Sequence, residues 1–107
     1  MKSTNNIFEL IPDEISNELF ENILTNENIR IERIVSKGHA SPASGWYDQE
    51  EHEWVIVLKG EAKIELENQA TVHLVGGSYL NIPARTRHKV SWTDSGTETI
   101  WLAIYYI

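Results

Sequence analysis

The sequence predicts an all-β fold, a small antiparallel barrel with one short N-terminal helix. Three observations predict it. From Asn28 onward, apolar residues recur at every second position in short runs; turn residues separate those runs; and helical spacing is confined to one segment near the start. Many short strands with no helices between them to carry parallel crossovers pair antiparallel, as a barrel or sandwich.

Residues 1–12 read as a short extended arm, with Ile7, Phe8, Leu10 and Ile11 apolar and Pro12 ending any regular element. Asp13 is placed to cap a helix, and Ile15, Leu19, Phe20, Ile23 and Leu24 repeat at helical spacing through about Thr25. Such a helix would lie over one end of the barrel. Ile29, Ile31 and Val35 then alternate as a strand, and Trp54 to Leu58 is a continuous apolar run, as expected of a strand buried on both faces. Ala62, Ile64 and Leu66 alternate with Lys63, Glu65 and Glu67; Asn68-Gln69 makes a turn; Val72 and Leu74 follow. Gly76-Gly77 breaks the chain before a strand at Tyr79 to Ile82. Val90 and Trp92 continue, Asp94-Ser95-Gly96 turns, and Thr97 to Ile107 is the last strand. The expected organisation is one domain over residues 1–107, with arm and helix in 1–27 and the barrel in 28–107. Trp54, Trp101, Tyr105, Tyr106 and Ile107 offer apolar surface on both strand faces, more than one small barrel can hide, so a homodimer is expected.

Composition narrows the chemistry. A chain of 107 residues with 41% hydrophobic and 23% charged residues is globular. It has no cysteine, which excludes disulfides, thiol nucleophiles and cysteine-ligated zinc. A net charge of −7 repels a phosphate backbone, so no nucleic-acid partner is expected. No run approaches the roughly 20 apolar residues of a membrane helix, and Met1 to Leu10 has no signal-peptide core, so a cytoplasmic protein without a membrane partner is expected.

Two segments carry the functional signal: GWYDQEEHEWVIVLKGEA, Gly45 to Ala62, and GSYLNIPARTRHKVSW, Gly77 to Trp92. Together they resemble the two motifs of the cupin superfamily, over roughly residues 28–107. In the first cupin motif two histidines separated by one residue precede a Glu, and a Gly follows that Glu after six residues. Here Glu53 and Gly60 keep that spacing. In the second motif Gly is followed after five residues by Pro, and His stands five positions beyond. Here these are Gly77, Pro83 and His88. The resemblance implies a jelly-roll barrel with Glu53 and His88 in its mouth, ligating a divalent metal such as Fe, Mn, Ni or Zn, whose open positions would admit a substrate.

The histidine pair itself is missing. Counting back from Glu53 places either Tyr47 and Gln49 or Trp46 and Asp48 at the two positions. Gln49 and Asp48 are therefore further candidate ligands, and His39 and His52 are nearby imidazoles, with His52 on the opposite strand parity from Glu53. Arg85 stands where cupins usually carry Gly, and Trp92 where many carry Asn. Arg85 could grip a carboxylate or phosphate in a bidentate fork. Arg33 shares the parity of an apolar face and so needs a partner: Glu53, Asp48 or an anionic substrate. Tyr47 and Trp92 could supply aromatic walls. Three functions follow: a metal-dependent enzyme acting on a small organic molecule, a metal-free module that binds or senses one, or, behind these, a structural dimer whose interior is plugged by Trp46, Tyr47 and Trp92. A variant of the second lets His88 and Glu53 transfer protons without metal.

Overall fold

The computed structural model describes residues 4–42, 44–67 and 69–107 and contains eight strands. These are β1 (Leu19–Asn26), β2 (Ile29–Ser36), β3 (His52–Lys59), β4 (Glu61–Leu66), β5 (Val72–Val75), β6 (Tyr79–Ile82), β7 (His88–Thr93) and β8 (Thr99–Tyr106). They form two antiparallel sheets, one of five strands in the order β1-β2-β8-β3-β6 and one of three in the order β5-β4-β7. Between the sheets, Ile34, Val55, Val57, Trp101 and Ala103 from the first meet Ala62, Ile64, Leu66 and Leu74 from the second in one buried cluster. This is a jelly-roll sandwich rather than a closed barrel. Ladder pairing stops at β1 and β6 in one sheet and at β5 and β7 in the other. At the seams, side chains and corner turns take over from ladder hydrogen bonds.

The alternation read from the sequence sets the inner face. Glu53, Val55 and Val57 of β3 are buried, whereas Trp54, Ile56 and Leu58 are half-buried, so β3 is less enclosed on its outer face than its continuous apolar run suggests. Cross-strand pairing puts Arg30, Tyr105 and Glu53 in one inward row, and Ile34, Trp101 and Val57 in another. The expected turn at Asn68-Gln69 falls partly outside the described residues, since Asn68 is not among them; the Gln69 amide donates to the Leu66 carbonyl.

The expected N-terminal helix does not form, and there is no helix among the described residues. Residues 13–18 are irregular and Leu19 begins β1, which pairs with β2. The register shifts between Asn22 and Leu24, so Ile23 is an extra residue in the strand. Phe20, before the shift, pairs with Ile34 on the inner face; Leu24, after it, pairs with Ile31 on the outer face. A bulged strand thus spaces its apolar side chains at 19, 20, 23 and 24, as a helix would. Nor is the arm extended. The Phe8 amide donates to the Asn6 side chain, the Glu9 amide donates to the Asn6 carbonyl, and Leu10 adopts a φ of 57°.

The chain passes between sheets at Gly60, with a φ of 95°. A Cβ there would lie 2.5 Å from Thr99 Oγ1 and 2.6 Å from Thr99 Cα. Thr99, fully buried, stitches the corner by donating to the Glu61 carbonyl and accepting from the Glu61 amide, both at 3.2 Å. Gly77 has a similar φ of 93° but open space around it. Gly60→Ala is therefore expected to cost about 3 kcal/mol, from strain plus collision. Gly77→Ala is expected to cost about 1 kcal/mol from strain alone. Denaturant unfolding of the two variants checks the contrast.

Candidate functional site

A cavity of about 150 Å³ lies between the sheets. Its walls are Ile34, Val55, Ile64, Val90, Trp101 and Tyr105, and Glu18, Phe20, Tyr47 and Gln49 also contribute. Phe20 and Tyr47 are about half exposed, at 53% and 47%, and form its rim. Inside, Glu53 from β3 and His88 from the start of β7 face each other, both buried. His88 Nε2 lies 3.3 Å from Glu53 Oε1, and the Gln49 side-chain amide donates to that same oxygen at 3.3 Å.

Hydrogen-bond partners decide where the protons are. His88 Nδ1 lies 2.9 Å from the Thr86 carbonyl, which can only accept, so Nδ1 carries a proton. If Nε2 and Glu53 were both unprotonated, lone pair would face lone pair in an apolar cavity. A proton on Nε2 gives that contact its donor. Burial pulls the His88 pKa down, but the Glu53 hydrogen bond, the Thr86 carbonyl and the Glu53 charge together outweigh it and hold the imidazole above the ordinary histidine range. Tyr105 is pushed far upward by burial and by the charges of Glu53 and Glu32, so its phenol stays protonated.

Backbone pairing places these groups. Tyr47 forms an isolated bridge with His88, its amide donating to the His88 carbonyl at 2.8 Å and its carbonyl accepting from the His88 amide at 3.1 Å. That bridge brings the Tyr47 ring to 5.6 Å from the imidazole. Of the two spacings open in the sequence, Tyr47 and Gln49 are the pair that lines the cavity. Asp48 instead engages Arg85 Nε at 3.0 Å and Arg87 Nε at 3.5 Å. Arg85 is 62% exposed along its side chain and has a φ of 63°, the left-handed conformation for which cupins usually place Gly at that position.

The other expected residues lie apart. Arg33 is buried, but on the outer side of its sheet. Its guanidinium pairs with Glu21 at 2.7 Å and donates to the carbonyls of Ile7, Glu9 and Leu10 at 3.0, 2.5 and 3.4 Å, holding down the N-terminal segment. Trp92 shares no wall with His88. The β4–β7 register shifts between Lys63 and Ile64, so Ser91 is skipped and Trp92 turns outward, its ring 5.6 Å from Lys63 Nζ. His52 accepts from the Ala84 amide at 2.9 Å, and the His39 ring contacts the Lys37 amide and the Ser16 carbonyl. Glu18 and Phe20 line the cavity but were hidden in the segment read as a helix.

The donor set does not fit a transition metal. His88 and Glu53 bring one imidazole and one carboxylate together, Gln49 turns its N–H rather than its oxygen toward Glu53, and no group of three His, Cys, Asp or Glu among the described residues, Glu18 included, could hold an ion.

A polar pair buried in a mostly apolar cavity between two jelly-roll sheets defines a small-molecule site. The model of the cupin domain matches residues 33–105, and the chain belongs to the cupin family. A crystal structure from Ralstonia eutropha JMP134, provisionally assigned as a mannose-6-phosphate isomerase, is similar at 40% identity, covering 98% of each chain with a TM-score of 0.93. An RmlC-like cupin from Desulfovibrio desulfuricans is 23% identical, covering 99% of this chain and 96% of its own, with a TM-score of 0.75. A cupin superfamily protein from Desulfitobacterium hafniense DCB-2 is 18% identical, covering 100% and 94%, with a TM-score of 0.78. The last two show the fold alone. No curated protein matches the chain. No helix among the described residues is long and apolar enough to cross a membrane.

The raised His88 pKa has a signed consequence. Its contribution to stability is fully present below the unfolded histidine pKa of about 6.5. It is lost as pH rises through the higher folded value. The stability of the parent, measured by denaturant titration, is expected to fall across that window. Glu53→Gln is expected to weaken this fall, because it removes the carboxylate whose hydrogen bond and charge raise the His88 pKa against burial.

Proposed function

We propose that the chain is a metal-independent enzyme that moves a proton between neighbouring atoms of a small organic molecule held in the cavity. The observation that carries this reading is the 3.3 Å approach of His88 Nε2 to Glu53 Oε1, both buried inside the cavity. With His88 as imidazolium and Glu53 as carboxylate, Glu53 removes a proton from the carbon beside a carbonyl while His88 donates one to the carbonyl oxygen. The enol so formed is reprotonated at the other carbon by Glu53, and His88 takes back its proton from the neighbouring hydroxyl. The cycle closes without a cofactor. The isomerase assignment of the Ralstonia neighbour supports this reaction class, since aldose–ketose isomerisation is a proton shift of this kind. It does not support a phosphorylated substrate, because no Lys or Arg among the described residues lines the cavity.

A second reading, a metal-free binding or sensing module, draws on the same cavity, whose largely apolar walls could bind a ligand without chemistry. Either reading fits a cytoplasmic homodimer. Ile31, Ile104 and Trp54 form a row across the outer face of the five-stranded sheet beside Ile56 and Leu102, all half-buried, an apolar band that a second copy would cover.

Incubation with α-hydroxy aldehydes and ketones in D₂O, followed by proton NMR, tests the chemistry. The parent is expected to wash deuterium into the α-position in the presence of EDTA. Glu53→Gln and His88→Gln are each expected to slow it at least about 100-fold. Exchange that EDTA abolishes would restore the metal reading, and saturable binding without exchange would leave the binding module. A companion measurement concerns the lost ligands. The parent is expected to hold less than stoichiometric Ni(II) or Zn(II) by mass spectrometry, whereas Tyr47→His/Gln49→His, which completes a set of three imidazoles and one carboxylate, is expected to hold it stoichiometrically.

A further inference from the structure

We propose that the molecule bound in this cavity carries a positive charge, and that Glu18 selects for it. The inference rests on the cavity being the functional site, but not on proton transfer taking place there.

The charges lining the cavity do not cancel. Among the described residues they comprise the carboxylates of Glu18 and Glu53 and the imidazole of His88, with no Lys or Arg. Glu53 as carboxylate and His88 as imidazolium, 3.3 Å apart, form a net-neutral pair, and Glu18 is left over. The nearby arginines are committed elsewhere. Arg30 pairs with Glu32 at 2.7 Å and Glu51 at 2.9 Å, Arg33 with Glu21 and three carbonyls, and Arg85 with Asp48. Glu18 thus brings a negative charge to a cavity to which no Lys or Arg among the described residues contributes.

Glu18 is also held in place. The Trp101 indole, which can only donate, gives its N–H to Ser36 Oγ at 3.2 Å, and the Ser36 hydroxyl in turn donates its one proton to Glu18 Oε2. Ser36 is fully buried and Trp101 nearly so. The carboxylate therefore sits at the end of a buried relay that has only one direction, and it accepts throughout. A side chain that served only solubility would not be tied to the core in this way.

The remaining surface suits an organic cation rather than a hydrated metal ion. Phe20, Tyr47, Trp101 and Tyr105 contribute ring surface to the cavity, and aromatic faces attract ammonium groups that shed water readily. Tyr105 already holds a cation in this fold, with the Arg30 guanidinium carbon 3.9 Å from its ring centroid. The chain's net charge of −7 favours the approach of cations and opposes that of phosphates.

The test compares choline with its uncharged isostere 3,3-dimethylbutan-1-ol, alongside tetramethylammonium and inorganic phosphate, binding to the full chain followed by amide NMR shifts. Choline is expected to bind saturably and at least about 10-fold more tightly than the isostere, a difference of about 1.4 kcal/mol. That preference is expected to weaken with added salt. Glu18→Gln is expected to erase the preference while leaving isostere binding in place. Equal or tighter binding of the isostere or of phosphate, a preference that survives Glu18→Gln, or no saturable binding of either cation would each overturn the inference. If Glu18→Gln does not fold, the ratio in the parent alone decides. Deuterium exchange on uncharged substrates without a cation preference would sink this inference and leave proton transfer standing. A cation preference without any exchange would do the reverse.

Discussion

A carboxylate cannot be buried among aliphatic and aromatic side chains unless something shares its charge. Unpaired, it would cost several kcal/mol even after relaxation. The β3–β8 register puts Glu53 beside Tyr105 and turns it inward with Val55, so the fold creates this demand before any ligand arrives. His88 and Gln49 meet it, one through a shared proton and the other through an amide N–H. Much else is then compelled. The Thr86 carbonyl fixes which imidazole nitrogen faces Glu53, and the paired hydrogen bonds between Tyr47 and His88 bring the loop carrying Gln49 to the same place. The site is less a set of residues added to a scaffold than the scaffold's answer to one buried charge.

The arginines obey the same rule on the other surfaces. Arg33 is buried beneath the N-terminal segment and finds acceptors in Glu21 and in three main-chain carbonyls at 7, 9 and 10. A guanidinium with five donors in a fixed plane is well suited to gathering carbonyls that lack ladder partners. The segment therefore bends to Arg33 instead of running extended, with Leu10 in a left-handed conformation. Because the same segment leads into Glu18, a charge on the outer face of the sheet helps set the composition of the cavity's rim on the inner side.

The period-2 alternation and the turn residues made most of the strands legible, and the spacing to Gly60 and Pro83 singled out Glu53 and His88. Both kinds of signal are local. What was not legible depends on register. Apolar residues at 19, 20, 23 and 24 fit a helix as well as a strand with one extra residue, and only pairing with β2 decides between them. The same applies to Trp92, which shares strand parity with His88 until a skipped residue at Ser91 turns it outward. Arg33 was recognised as needing a partner, but its partners lie 12 to 26 residues away in sequence. Glu18 gave no signal at all. Its role comes from Ser36 and Trp101, distant in the chain and unremarkable in pattern.

The departure from the cupin motif follows from the same charge logic. Tyr47 and Gln49 line the cavity at the positions the shorter motif spacing gives to the two histidines. Two imidazoles there would point lone pairs at a shared cation, and that cation would neutralise Glu53. A phenol and an amide can instead donate, and the Gln49 N–H does so toward Glu53. Replacing the histidines thus converts a ring of acceptors around a positive ion into donors around a negative one. On the metal-independent reading proposed above, that exchange leaves no metal charge to polarise a substrate. A proton on His88 beside Glu53 would then do that work. Loss of the metal ligands and reliance on the Glu53–His88 pair would then be two consequences of the same change at Tyr47 and Gln49.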